Sequence, residues 1–144
     1  MKIECRMTHA LLLAAALAGC SSSQTRTDGP EHGGPVIEDI TPEQAFILIQ
    51  DNRDNADFVI LDVRTPEEFA AGHLQNAVQI NFYDETFSDD IDRLDKARTY
   101  LVYCRSGGRS SSSLRIMAEL GFTRAHSMLG GIVRWQTEGL PVLE

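Results

Sequence analysis

Residues 99–110 read TYLVYCRSGGRS, and this stretch decides the fold class. Thr99–Tyr103 is a continuous apolar and aromatic run, which predicts a strand covered on both faces, as in a parallel sheet. The strand passes directly into a polar loop that contains Cys104. The serines at 110–113 then predict the cap and first turn of a helix that ends at Gly121. A buried strand, a tight loop and a helix in direct succession are typical of an α/β unit.

The same alternation of strands and helices extends to both sides of this stretch. Phe58–Val63 (FVILDV) is a second β-branched apolar run and predicts another buried strand. Capping pairs, apolar periodicity and glycine stops predict helices over 42–50, 66–71, 88–94 and 131–137, and strands over 77–81 and 125–128. This order predicts one α/β domain with a mainly parallel central sheet flanked by helices.

Length and charge exclude several classes of protein. The chain has 144 residues, enough for one domain once an unstructured terminus is set aside. Its 21 acidic residues outnumber its 13 basic ones, which gives a formal net charge of −8 at pH 7. Such a charge repels the phosphate backbone, so we expect no nucleic acid as a partner. The four histidines and three cysteines lack metal-ligand spacing, so we expect no metal and no cofactor.

The N-terminal segment has the pattern of a targeting signal. Residues 10–18 (ALLLAAALA) follow a short basic start and are too few to cross a bilayer as a permanent helix, which predicts a signal peptide over residues 1–19. Residues 17–20 (LAGC) resemble the lipobox of bacterial lipoproteins, in which the peptidase cleaves before a cysteine that has been acylated. The alternative is ordinary secretory cleavage to a soluble protein.

The lipobox resemblance implies lipid on Cys20, and therefore a membrane anchor in the cell envelope with the protein facing the periplasm. Ser21, rather than Asp, follows the cysteine, which by the sorting pattern of lipoproteins favours the outer membrane over the inner membrane. Residues 20–35 are rich in Ser, Thr, Gly and Pro and predict a flexible tether. The folded domain is then expected over residues 36–144.

Cys104 stands at the carboxyl end of the predicted buried strand, where ligands collect in open parallel sheets. The positive end of the following helix and the turn-forming Gly107 and Gly108 favour a thiolate over a thiol. The neighbouring Arg105 and Arg109 add positive charge. We therefore predict a nucleophile, and the alternative is a buried, inert cysteine. Because the other cysteine of the mature chain would be acylated, a dithiol mechanism within one chain is excluded.

Three ordered signatures carry a resemblance to a known family. They are 61–64 (LDVR) with 67–69 (EEF) and 72–74 (GHL), the loop 104–110 (CRSGGRS), and 130–131 (GG) with Trp135 and 139–142 (GLPV). In these motifs the chain resembles the rhodanese (sulfurtransferase) family over essentially all of residues 36–144. One departure is Gln75-Asn76, where relatives commonly carry Pro-Gly, and it concerns a local turn.

The resemblance implies a two-step sulfur transfer. The Cys104 thiolate takes the outer sulfur of a small donor such as thiosulfate, becomes a persulfide, and passes the sulfur to a thiol or a cyanide-like acceptor. Inward amides from Ser106 to Arg109 would hold the anionic sulfur, while Arg105 and Arg109 would attract the oxyanion of the donor. For either arginine the alternative is a solvated surface charge, and this alternative is stronger for Arg105. Ser106 and Ser110 either add hydroxyl hydrogen bonds or only cap the loop.

Several further residues near the predicted site are expected to have structural roles. Asp62 and Arg64 lie at the end of the neighbouring buried strand, so we expect Asp62 to be paired and to support the site. We expect His73 in a turn or the core, because a thiolate that has already formed needs no general base. His126 is a strand residue to which the sequence assigns no role. Two aromatic side chains are expected to anchor the core, Phe69 and Trp135.

Two other functions stay open at this level. One is a phosphatase or arsenate reductase of related fold, whose loop places five residues between Cys and Arg. Here four residues separate Cys104 from Arg109, and Ser110 occupies the position that would need arginine. The other is a non-catalytic persulfide carrier or thiol redox sensor that acts through Cys104. The sequence assigns neither the natural donor and acceptor nor an oligomeric state.

Overall fold

The computed structural model describes residues 34–142. The predicted signal peptide, Cys20 and the tether up to residue 33 lie outside this range. The described strands are β1 (Val36–Ile40), β2 (Phe58–Asp62), β3 (Val78–Gln79), β4 (Thr99–Tyr103) and β5 (Arg124–Met128). The described helices are α1 (Pro42–Asp51), α2 (Pro66–Ala70), α3 (Phe87–Asp92), α4 (Gly108–Glu119) and α5 (Gly131–Thr137). Among these helices, none combines the length and the apolar character needed to span a membrane.

The strands form one parallel sheet in the order β1-β5-β4-β2-β3. The central strand is β4, in which Tyr100 pairs with Val59 of β2 on one side and Ala125 of β5 on the other. Because the strands run parallel, their carboxyl ends open at the same edge of the sheet. The predicted α/β class with a mainly parallel sheet between helices is confirmed.

Helices cover both faces of the sheet, and side chains of β4 alternate between two cores. Tyr100, Val102 and Cys104 pack with side chains of α3 and α4. Leu101 and Tyr103 pack on the other face, with side chains of α1 and α5 that include the buried Trp135. Coverage on both faces explains why β4 is apolar without interruption. The side chain of Cys104 therefore continues the row of β4 side chains that face α4.

Capping boxes start two of the helices, as the sequence predicts. The hydroxyl of Thr41 accepts from the backbone N–H of Gln44 at 3.3 Å, and the Gln44 side chain accepts from the Thr41 N–H at 2.8 Å. Thr65 and Glu68 make the same reciprocal pair at α2, at 3.3 and 3.1 Å. In both helices proline follows the threonine, where its fixed φ and missing N–H suit the first turn.

Four features differ from the sequence-based predictions. Strand β1 was not predicted, because Val36–Ile40 contains two acidic residues and is an edge strand defined by its pairing with β5. Strand β3 has two residues instead of five, since it pairs only with the end of β2. Helix α4 is capped by Gly107 instead of Ser110, which lies in its first turn. Phe69 is half-buried outside both cores and stacks on His73, with 3.9 Å between ring centroids.

Candidate active site

Cys104 directly follows β4, and only 1% of the residue is exposed. The backbone N–H of Gly107 donates to its Sγ at 3.0 Å. Gly107 does so at a φ of +102°, a conformation that residues with side chains rarely adopt. The Ser110 Oγ lies 3.7 Å from Sγ and donates to the carbonyl of Gly107 at 2.9 Å. The sulfur is thus enclosed by main-chain and hydroxyl groups of its own loop.

The charge state of Cys104 depends on two opposing effects. Burial raises the pKa of the thiol, because a poorly solvated site disfavours the anion. Hydrogen bonds from the Ser110 amide and hydroxyl, and from the amides of Gly107 and Ser106, outweigh burial and lower the pKa below its usual value. Such donors are fixed by the fold and stabilise a thiolate without a contacting cation.

The N-terminus of α5 holds the loop from its other side. The backbone N–H groups of Ile132 and Val133 donate to the carbonyls of Cys104 and Arg105, at 2.9 and 3.1 Å. A Cβ on Gly131 would lie 2.3 Å from the Cys104 carbonyl oxygen, so glycine is required by this close approach. Because the carbonyls of Cys104 and Arg105 point to α5, the amides that follow them in the loop are free to face the sulfur. The sequence motif at 130–131 indicates the glycine but not this contact.

Arg109 is tied to a carboxylate of another helix. Its guanidinium donates to both oxygens of Glu68 at 2.7 and 2.8 Å, and its Cζ lies 5.3 Å from the centroid of the Tyr83 ring. The hydrogen bonds from Arg109 lower the pKa of Glu68 to about 2 against the opposing effect of burial. Within the sequence, Glu68 belongs to the capping pair of α2, and no local pattern indicates its contact with Arg109, because the two residues are far apart in the chain.

Arg105 and Ser106 are exposed at the turn of the loop, as is Gly108 at the start of α4. A cavity of about 300 Å³ lies beside Arg105, with a wall from α5 that includes Ile132 and Val133. A Cβ on Gly108 would meet no heavy atom of the described residues within 4 Å. Of the two loop glycines, the structure therefore requires glycine at 107 and leaves room at 108.

Asp62 and Arg64 are buried and paired at the end of β2. The Arg64 guanidinium donates to Asp62 Oδ2 at 2.6 Å and to the carbonyl of Gly72 at 2.7 Å. It also lies over the ring of Tyr103, 5.5 Å from the centroid. Burial, together with the nearby Asp62 carboxylate, raises the pKa of Tyr103. The expected pairing of Asp62 is present, and it holds Arg64 in place at the wall of the cavity.

The two histidines of the described residues contact groups other than Cys104. The Nδ1 of His73 lies 3.1 Å from the carbonyl oxygen of Phe69, within the turn that follows α2. The Nδ1 of His126 lies 3.4 Å from a carboxylate oxygen of Glu38, and burial lowers the pKa of this histidine.

Asn76, at the turn where the sequence departs from the family pattern, has a φ of +62°. Within residues 34–142, no group of three or more His, Cys, Asp or Glu side chains could hold a metal ion.

Comparisons with known proteins agree with this architecture. The sequence model of the rhodanese-like domain matches residues 48–138. The chain is 35% identical over 107 residues to thiosulfate sulfurtransferase GlpE of Actinobacillus succinogenes, covering 74% of this chain and 91% of the relative. It is 32% identical over 96 residues to a sulfurtransferase of Allochromatium vinosum, covering 67% and 88%.

A similar fold is found in the crystal structure of a rhodanese-related protein from Thermoplasma volcanium, with a TM-score of 0.62 and 26% identity over 74% of this chain and 97% of that one. The match of the family model spans more than half of the sequence and includes the Cys104 loop. The chain belongs to the rhodanese-like domain family.

Proposed function

We propose that this protein is a sulfurtransferase that carries sulfur on Cys104. The observation that carries the proposal is the enclosed sulfur itself, which accepts the Gly107 N–H at 3.0 Å and whose pKa the surrounding hydrogen bonds lower against burial. The names of the relatives, sulfurtransferase and thiosulfate sulfurtransferase, support the same reaction class.

In the first step, the Cys104 thiolate attacks the outer sulfur of thiosulfate. The new S–S bond forms a persulfide anion, and the bond inside thiosulfate breaks to release sulfite with its electron pair. In the second step, cyanide or a thiolate attacks the outer sulfur of the persulfide. Thiocyanate or a new persulfide leaves, and Cys104 returns to the thiolate. Each step moves one sulfur atom and needs no further oxidant or reductant.

The loop residues divide this work in the proposal. The amides of Ser106, Gly107 and Ser110, instead of the run from Ser106 to Arg109 that the sequence indicates, stabilise the negative charge on the sulfur in both resting and persulfide states. Arg105, exposed beside the cavity, attracts the oxyanion of the donor. Arg109 contributes positive charge from a fixed position, because its hydrogen bonds are made to Glu68.

Several observations favour sulfur transfer over phosphate or arsenate chemistry. Four residues separate Cys104 from Arg109, and the next position is Ser110, which is fully buried with its Oγ 3.7 Å from Sγ. A loop of this size encloses one atom closely, whereas a phosphoryl group needs room for its three oxygens. The guanidinium of Arg109 is also occupied by a carboxylate instead of being free for a dianion.

The decisive experiment is an intact-mass measurement of the mature protein before and after thiosulfate, together with a thiosulfate-to-cyanide transfer assay. We expect a gain of one sulfur atom, reversed by cyanide with release of thiocyanate, and loss of both results in Cys104→Ser. Cys20→Ser is the matched control and should keep both. Hydrolysis of an aryl phosphate would instead support a phosphatase, and reversible oxidation by peroxide without thiosulfate turnover would support a sensor.

We also propose that the mature chain begins at Cys20, carries lipid there and faces the periplasm from the outer membrane. The support is the LAGC sequence at 17–20 followed by Ser21 and a tether-like segment up to residue 35. Expression of the full sequence in a Gram-negative host should give a membrane-bound product with acyl mass on Cys20. Cys20→Ser should remain unlipidated, and a soluble wild-type product without acyl mass would contradict the proposal.

A further inference from the structure

A buried hydroxyl on β5 contacts the sulfur site through one intermediate residue. Ser127 is fully buried, and its Oγ donates to the Oγ of Ser110 at 3.0 Å. Ser110 in turn lies 3.7 Å from the Sγ of Cys104. Neither the sequence signatures nor the proposed mechanism uses Ser127, yet it joins the strand next to β4 to the loop that encloses the sulfur.

The direction of this contact follows from the number of hydrogens. A serine hydroxyl has one hydrogen to donate and two lone pairs to accept with. The hydrogen of Ser111 goes to the exposed carboxylate of Asp39, at 3.1 Å, and the Oγ of Ser111 lies 3.4 Å from that of Ser127. Ser110 uses its own hydrogen on the Gly107 carbonyl at 2.9 Å, so the 3.0 Å contact between Ser110 and Ser127 takes the hydrogen of Ser127. Ser111 is the more distant acceptor for that hydrogen.

We propose that Ser127 is a positioning residue, which satisfies Ser110 as an acceptor so that the hydrogen of Ser110 stays available to the anionic sulfur of Cys104. When Cys104 is a thiol, its S–H can point to Ser110, whose own hydrogen bonds the Gly107 carbonyl. When the sulfur is charged, it can only accept. The Ser110 hydrogen then turns to the sulfur, and the donor from Ser127 keeps the Ser110 oxygen paired.

This inference deepens the proposed function and rests on it in so far as Cys104 is the sulfur carrier. It concerns the stability of the anion, so it can be tested without a sulfur donor or acceptor. Other charged groups around the sulfur are unchanged by a substitution at Ser127. They are Arg105 on the loop, Arg109 on α4 and Glu68 of α2, which pairs with Arg109. On the side of Ser127, the ionisable side chains are Asp39 of β1, which contacts Ser111, and His126 of β5, which lies beside Ser127 on the opposite face of the strand.

The test is the pH dependence of alkylation of Cys104 by iodoacetamide, which adds a carbamidomethyl group to the thiolate and releases iodide. Ser127→Ala should move the midpoint of the profile upward by about half to one pH unit, so alkylation below the midpoint slows about 3- to 10-fold. Above the midpoint the rates of variant and wild type should agree. The mature full chain is used, and modification is read on the peptide that contains Cys104.

A matched control is available on α4. Ser113 is also fully buried, but its hydroxyl donates to the carbonyl of Arg109 at 2.8 Å instead of joining the contacts around Ser127. Ser113→Ala should leave the midpoint unchanged. Ser127→Thr restores a hydroxyl on the same Cβ and should return the midpoint toward the wild-type value.

A double variant separates action through Ser110 from a general loosening of the site. In the Ser110→Ala background, Ser127→Ala should produce no further shift, because the hydroxyl through which it acts is gone. Additive shifts, an unshifted Ser127→Ala profile, or a rate difference that persists above the midpoint would each overturn the inference. Persulfide formation in wild type is measured separately, so failure of this test and failure of sulfur transfer are distinguishable.

Discussion

The helices that start near the edge of the sheet do so in two different ways. Helices α1 and α2 begin at threonines, Thr41 and Thr65, whose side chains pair with first-turn amides. Helices α4 and α5 begin at glycines, Gly107 and Gly130, with φ of +102° and +74°. A glycine cap has no side chain to offer, so the N–H groups at those helix ends must find other acceptors.

Those other acceptors build the candidate site. At α4, the amide of the cap residue Gly107 bonds the sulfur of Cys104. At α5, the amides of Ile132 and Val133 bond the carbonyls of the same loop. The threonine caps therefore complete their own helices, whereas the glycine caps leave donors that organise the loop between β4 and α4. From this difference we expect substitutions at the glycine caps to change the reactivity of Cys104, and substitutions at the threonine caps to change only the free energy of unfolding.

The largest effect is expected from Gly131→Ala, just inside the glycine cap of α5. The new Cβ would lie 2.3 Å from the Cys104 carbonyl oxygen and 2.6 Å from that of Arg105, at a φ of +57°. Since backbone atoms must shift, the free energy of unfolding should fall by about 3 kcal/mol or more, with loss of sulfur transfer. Chemical denaturation and the thiosulfate-to-cyanide assay measure the two effects.

Gly139→Ala is the control for backbone conformation. Gly139 has a φ of +72°, but a Cβ there would meet no heavy atom of the described residues within 4 Å. Gly139→Ala should lower the free energy of unfolding by about 1 kcal/mol and retain sulfur transfer. Equal losses in the two variants would show that close approach to the loop is not what requires glycine at 131.

An intermediate effect is expected from Glu68→Gln. Glu68 belongs to the threonine cap of α2 and also pairs with Arg109 in the first turn of α4, which has a glycine cap. Glutamine can still cap α2, but the charge that pairs with Arg109 is removed. Arg109 lowers the pKa of Glu68 to about 2 from its usual value of 4.5, so the pair stabilises the fold fully above pH 4.5 and less as the pH falls toward 2. Because Glu68 is partly exposed, we expect a loss of about 1–2 kcal/mol at pH 7.

The measurement is the free energy of unfolding by denaturant between pH 7 and pH 3. The difference between wild type and Glu68→Gln should narrow as the pH falls below 4.5, because Glu68 then takes up a proton in the unfolded chain while folded Glu68 stays ionised down to about pH 2. A difference that is constant with pH would mean that the substitution acts through packing and not through the ion pair with Arg109.

The smallest effect is expected from Thr65→Ala, at the threonine cap of α2. The hydroxyl that accepts from the Glu68 amide at 3.3 Å is lost, which should cost about 1 kcal/mol of stability. The alkylation profile of Cys104 should be unchanged. A clear shift of that profile would contradict the division between threonine and glycine caps, because it would couple a side-chain cap to the sulfur.

Local patterns predicted much of the fold and the centre of the site. The runs at β2 and β4 are apolar because both faces of the sheet are covered, and the capping boxes at Thr41 and Thr65 depend on residues three positions apart. Cys104 was recognisable because the strand, the glycine and the following helix are adjacent in sequence. Strand β1 was missed because its pairing partner lies at the other end of the domain.

The sequence by itself determined the order of strands and helices, the place of the thiol at a strand end and the tight loop that follows it, because each depends on neighbours within a few residues. Tertiary structure decided that Glu68 pairs with Arg109, that Gly131 packs against the Cys104 loop, and that Ser127 donates to Ser110. These contacts join residues from separate elements, and distances between such residues are set only when the helices pack on the sheet.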